Sequence, residues 1–256
     1  MMRIICAMAR CMIKELIRKK DFYVLLVLLI VLMTVLSYQS FFNIEGISRY
    51  VKDLGYTMVM LFSFLLATGF AAKQIPSEIE SSTILPLLAK PLTRYNIILG
   101  KFFGSSIIAI SAYAMFFLVF AVFSALISGV SGVLLCQGFF LGMLFLFLVC
   151  SLVIFFSTFM TTSSNVTISI LIYLTINGFS DTLKEYVLLT KSGFALLGGL
   201  LYYLIPHFDF FDMRIRITHS WDPLPVWVML AITVYTVIYS FVILYCASMI
   251  FGRKRL

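Results

Sequence analysis

The chain has 256 residues, 62% of them hydrophobic and only 12% charged, with a formal net charge of +8 and a mean hydropathy of +1.08. A soluble globular domain is nearer half apolar and a quarter charged, so these figures exclude an ordinary soluble fold and define an integral membrane protein. The apolar runs are too long and too even for barrel strands, which alternate in hydrophobicity, and an all-α architecture remains.

The N-terminal segment, 1–21, contains MRIICAMARCMIKELIRKK. Ile5, Met8, Met12 and Leu16 recur there at helical spacing, and Arg10, Lys14 and Arg18 lie four apart. The pattern predicts an amphipathic helix on the membrane surface with its basic side chains at the headgroups. Residues 22–44, 54–72, 102–180 and 223–252 then contain no Asp, Glu, Lys, Arg or His. A helix crosses the hydrocarbon with about 20 apolar residues. Three of these runs therefore hold one span each, and the long third run holds three. Its turns fall at SGVSG (128–132) and TTSSN (161–165), where small and polar residues cluster. The expected spans are 22–42, 55–73, 102–127, 134–159, 164–180 and 225–249.

An even number of spans puts both termini on one side. The termini and the 74–101 passage with the adjoining Lys73 carry 13 Lys and Arg; the other side carries six. The bias places the termini and the 74–101 passage in the cytoplasm. The basic excess then serves orientation and headgroup attraction, and no basic stripe on a soluble domain points to nucleic acid. On the outer side, 43–54 reads as a short loop and 181–224 as a long one. Within the latter, SGFALLGGLLYYLIP (192–206) is apolar but too short to cross, which predicts a re-entrant segment. HFDFFDMRIRITHSWDPLP (207–225) mixes aromatics with charges, the composition of interface depth. Cys6, Cys11, Cys136, Cys150 and Cys246 fall in spans or on the inner side, so they read as small buried apolar residues without disulfides. Gln39, Gln137 and Asn177 are expected to bond across helices.

The stretch SEIESSTILPLLAKPLTRYNIILGK, residues 77–101, breaks the hydrocarbon pattern. Ser77 and Glu80 have capping-box spacing, and Glu78 and Glu80 suit the positive end of a helix dipole. Ile79, Ile84, Leu87 and Leu88 form an apolar side, Pro86 and Pro91 bend or end the helix, and Thr93 offers a second N-cap. Merely reversing the chain takes far fewer residues, so the passage is built to present a small rigid surface in the cytoplasm.

This passage resembles the cytoplasmic loop of permease subunits of the type-2 exporter family of ATP-binding-cassette transporters. Glu78, Glu80, Thr83, Leu87, Leu88, Pro91, Thr93, Arg94, Gly100 and Lys101 match the family pattern, with Ser82 where glycine is commoner. FFSTFMTTSSN (155–165), YLIPHFDFFD (203–212) and the closing FGRKRL are similar too, so the resemblance runs over nearly the whole chain. It implies a six-span permease in the inner (plasma) membrane of a prokaryote. It further implies a coupling helix that docks in a groove of a separate ATPase, with coupling residues Glu78, Glu80, Thr83, Leu87, Leu88, Pro91, Arg94 and Lys101. The implied partners are two cytoplasmic ATPase subunits that bind the ATP and magnesium, a second permease copy or homologue, and membrane lipids, with an accessory protein on the outer face left open. The chain itself is expected to hold no cofactor and no metal. Its uncharged spans suggest an amphipathic or lipid-like cargo moved outward.

Two other classes compete. A membrane-embedded enzyme needs ionisable groups or metal ligands at the bilayer. His207 and His219, with Asp209, Asp212 and Asp222, are the only candidates, and a solvated interfacial segment accounts for them. A membrane assembly scaffold gives no reason for the capped, proline-bounded loop. No phosphate-cradling G-x-x-x-x-G-K-[ST] occurs, so ATP hydrolysis belongs to a partner.

Overall fold

The computed structural model describes residues 20–40, 47–77, 94–128, 130–189 and 206–253, and of 177–189 the helical path alone. Helices follow the charge-free runs: α1 Lys20–Ser40, α2 Ile47–Ala71, α3 Arg94–Ser128, α4 Gly132–Ser157, α5 Thr162–Leu189, then a 3-10 turn Phe208–Phe211, a short α6 Arg214–His219, and α7 Val226–Arg253. Among the described residues there is no strand. Four segments are long and apolar enough to cross a membrane, Ser48–Ala71, Ile97–Leu126, Gly132–Ser157 and Val226–Gly252; α1 and α5 supply shorter apolar stretches, Phe22–Val35 and Thr162–Ile176.

Hydropathy marks where the hydrocarbon ends, not where a helix ends. Backbone N–H and C=O groups are most simply satisfied by continuing the ladder into the interface. Thus α2 begins at Ile47 and α3 at Arg94, each eight residues ahead of its expected span, and α5 runs on to Leu189. The expected 43–54 loop is corrected accordingly: Arg49, Lys52 and Asp53 stand on the first turns of α2. The break expected at 161–165 lies at 158–161 instead. Ser157 and Thr158 hydroxyls bond back to the carbonyls of Ile154 and Phe155, each at 2.7 Å. Such back-bonding competes with the helical ladder.

The helices run alternately up and down. One end of the bundle, the loop end, carries the two stems of the 78–93 segment and the 158–161 turn. The other, the cap end, gathers the start of α2, the 130–131 turn and residues 206–225. Lipid tails are as apolar as leucine, so helices in a membrane associate through close packing rather than through the hydrophobic effect. Here α2 is central, packed on α1, α3, α4 and α6. The seams are aromatic: Phe22 stacks on Phe116 at 5.7 Å, Tyr56 meets Phe120 edge-on at 5.9 Å, and Phe102 meets Phe147 at 4.6 Å. On α4, Gly142 lets the Tyr113 ring of α3 lie directly on the helix. A Cβ at Gly142 falls 2.1 Å from the Tyr113 hydroxyl oxygen. That hydroxyl donates to the Gly138 carbonyl at 3.0 Å, and its ring stacks on Phe139 at 5.5 Å and 9°. By contrast, only 17% of the α7 span is buried, against 67% for α2. The last helix is peripheral.

Turn 158–161 is closed by a buried amide. Asn165 Nδ2 donates to the Val153 carbonyl at 2.9 Å, and Asn165 Oδ1 accepts from Ser169 Oγ at 3.3 Å. With the side chain fully buried, Asn165→Leu removes both bonds, leaving the Ser169 hydroxyl without this acceptor and the Val153 carbonyl with its helical bond alone, and should cost about 1 kcal/mol. Reversible unfolding in mixed detergent micelles reads the loss; an unchanged midpoint denies the amide its role. Cys150 is buried as expected, but Cys136 and Cys246 are exposed, which corrects the buried reading for those two. Cys6 and Cys11 lie outside the described residues.

Candidate functional site

At the loop end, α2 stops at Ala71 and the chain turns. Ala72 N–H donates to the Thr68 carbonyl at 2.9 Å and Gln74 N–H to the Ala71 carbonyl at 3.2 Å, and the chain is helical again at Pro76 and Ser77, where the Ser77 hydroxyl bonds the Lys73 carbonyl. On the returning stem, Lys101 sits two turns into α3, only 7% exposed. Its Nζ donates to Gln74 Oε1 at 3.4 Å. A buried ammonium is costly unless held, so this contact braces the departing and returning stems against each other. Glu78, Glu80, Thr83, Leu87, Leu88, Pro91 and Thr93 lie outside the described residues, as do the N-terminal segment 1–19 and most of 192–206. Arg94 opens α3. Of the predicted coupling residues, the structure therefore places Arg94 and Lys101 on one stem and joins Lys101 to Gln74, to which the sequence reading gave no role. Nothing local signals that pairing, because the partners are 27 residues apart.

At the cap end, residues 206–225 form a folded lid rather than a loose loop. Phe208, Phe211, Met213 and Ile217 are buried, and Phe208 meets Phe145 of α4 edge-on at 5.2 Å. Arg214 Nε lies 3.5 Å from Asp53 on α2 and 3.9 Å from Asp212, while the Arg214 N–H donates to Asp212 at 2.8 Å. Lost hydration raises the Asp212 carboxyl above its ordinary range; the Arg214 N–H and guanidinium pull it down, and Asp209 and Asp53 add to the rise. Lys52, 6% exposed, reaches Ser220 Oγ at 3.4 Å, where the chain leaves α6 through a left-handed residue, φ 52°.

Gln137 fastens the lid to α4. Its amide donates to the Leu224 carbonyl and accepts the Leu224 N–H, both at 2.9 Å, satisfying both backbone groups just ahead of α7. Gln137, expected to bond across helices, bonds instead to the backbone of the non-helical stretch ahead of α7; the side chains of Gln39 and Asn177 lie outside the described residues. Gln137→Leu removes both bonds and should cost about 1–3 kcal/mol. Faster proteolysis at 220–225 in proteoliposomes is the expected signature, and an unchanged rate speaks against the clasp.

The histidines do not converge. The His207 N–H donates to the Tyr235 hydroxyl at 3.2 Å and its ring stacks on Phe210, whereas His219 stacks on Trp221. Among the described residues, no group of three or more His, Cys, Asp or Glu is placed to hold a metal.

Membrane-crossing helices, a packed cap at one end and a braced charged passage at the other define a multi-pass helical membrane protein. The sequence profile described as ABC-2 family transporter protein matches residues 7–256, and the chain belongs to that family. Its members are membrane components of transporters rather than catalytic subunits, and they normally work with ATPase subunits. No curated protein matches the chain.

Proposed function

We propose that this chain is the permease of an ATP-driven exporter. It crosses the inner membrane six times with both termini and the 74–101 passage in the cytoplasm, and it pairs with a second copy or a homologue. Residues 78–91 dock on one of two ATPase subunits that bind ATP and magnesium. Glu78 and Glu80 orient the docking helix, Leu87 and Leu88 pack it, and Arg94 and Lys101 anchor its exit. The N-terminal helix lies beside that interface, and 192–206 dips into the membrane from outside. The cargo is amphipathic or lipid-like. The single observation carrying this reading is the family match over residues 7–256, and the Lys101–Gln74 brace gives the docking passage a firm base.

The test is mild-detergent purification from native membranes followed by mass spectrometry. An ATPase should accompany the chain near equal stoichiometry and be lost when residues 78–91 are altered. Recovery of the chain alone at every detergent strength overturns the proposal.

A further inference from the structure

The cap end forms an open pocket of about 500 Å³ between the lid and α7, within the range that seats a small ligand. Its lining joins apolar Phe210, Val228 and Ile232 to both signs of charge, Asp209 and Asp212 with Arg216. The walls are held in place. Phe210 lies between the His207 ring at 5.3 Å and the Tyr235 ring at 5.7 Å. The Arg214 N–H fixes Asp212. One of the five N–H donors of Arg216 is spent on the Asp222 carbonyl at 2.9 Å.

The pocket opens beside a strip of α7 that none of the described residues covers. Trp227, Leu230, Val234, Ile238 and Phe241 recur at helical spacing and are 71%, 60%, 56%, 59% and 59% exposed. At 1.5 Å per residue the strip is about 20 Å long, and one leaflet of hydrocarbon is about 15 Å deep. Trp227 also lines the pocket, and tryptophan at the edge of a span marks headgroup depth. A ligand matching this surface carries a cation and an anion on one short polar arm and long apolar chains behind it.

We propose that the pocket seats the headgroup of a zwitterionic phospholipid, its ammonium on Asp209 and Asp212 and its phosphate on Arg216, with the acyl chains along the α7 strip. The assignment needs the membrane setting and not the ATPase partnership, so each stands or falls by its own experiment.

The chain has two tryptophans, Trp221 and Trp227, so Trp221→Phe leaves Trp227 as the reporter. The full-length variant is reconstituted in vesicles that differ only in whether the brominated lipid carries an ethanolamine or an anionic glycerol headgroup. The ethanolamine lipid should quench Trp227 at least twofold more strongly at equal mole fraction. Adding Arg216→Gln or Asp209→Asn should bring the two lipids to parity while circular dichroism shows the helices intact. Equal quenching before these changes means that Trp227 sees only bulk bilayer and overturns the proposal. Stronger quenching by the anionic lipid, or a preference that survives both substitutions, overturns it as well.

Discussion

Gly142→Ala should destabilise the bundle by about 3 kcal/mol, at the upper end of what overpacking usually costs. The sign is informative, because alanine is the better helix former by about 1 kcal/mol and an uncrowded site should gain from the change. Here the new methyl meets the Tyr113 ring carbon Cζ at 2.4 Å and its hydroxyl oxygen at 2.1 Å. Tyr113 cannot swing aside cheaply, since its hydroxyl is bonded to Gly138 and its ring is stacked on Phe139. Tyr113→Leu should therefore rescue Gly142→Ala in part, the double variant being more stable than the sum of the single losses requires. Unfolding titrations in mixed micelles measure all three. Simple additivity, or a stabilised Gly142→Ala, means that the two helices are not packed through this contact.

The second large effect concerns coupling. Lys101→Met, like Glu80→Ala and Arg94→Ala, should leave the chain folded and the partner ATPase hydrolysing, yet abolish the response of the permease to ATP. The exposed Cys136, on the first turns of α4 at the cap end, supplies a reporter. In a variant keeping Cys136 as its sole cysteine, an attached environment-sensitive dye should change emission on addition of ATP and magnesium to the reconstituted complex. In the three substituted forms that change should fall at least tenfold. A full dye response in all of them removes the force-transmitting role from these residues. For Lys101 the reason lies in the structure: the methionine retains bulk and loses the bond that joins the two stems through Gln74.

The helices were legible in the sequence because charge-free runs of membrane length admit few other structures, and each expected span overlaps a helix. Their ends were not legible, because Arg49, Lys52 and Asp53 look like loop to a hydropathy window although the helix simply continues past the hydrocarbon. The lid was legible in composition only. That Phe208 and Phe211 turn into the bundle while Phe210 turns outward depends on neighbours far away in the chain. Gln137 could be recognised as a bonding residue but not matched to Leu224, because a backbone partner leaves no mark in the sequence. Glycine at 142 was equally silent: its role depends on a tyrosine that lies on a different helix.

The length of α3 has a mechanical consequence. With 35 residues at 1.5 Å each it is a rod about 52 Å long, well beyond the roughly 30 Å of hydrocarbon, and it contains no proline at which to bend. Pivoted at its far end, such a rod turning by about 5° carries Arg94 sideways by about 4.5 Å on that length, roughly the width of a side chain. A lever of this kind converts a small tilt within the bilayer into a stroke at the loop end, and a push at the loop end into a tilt. In such a lever the length of the helix sets the ratio of stroke to tilt, and its straightness decides how much of the motion is passed on.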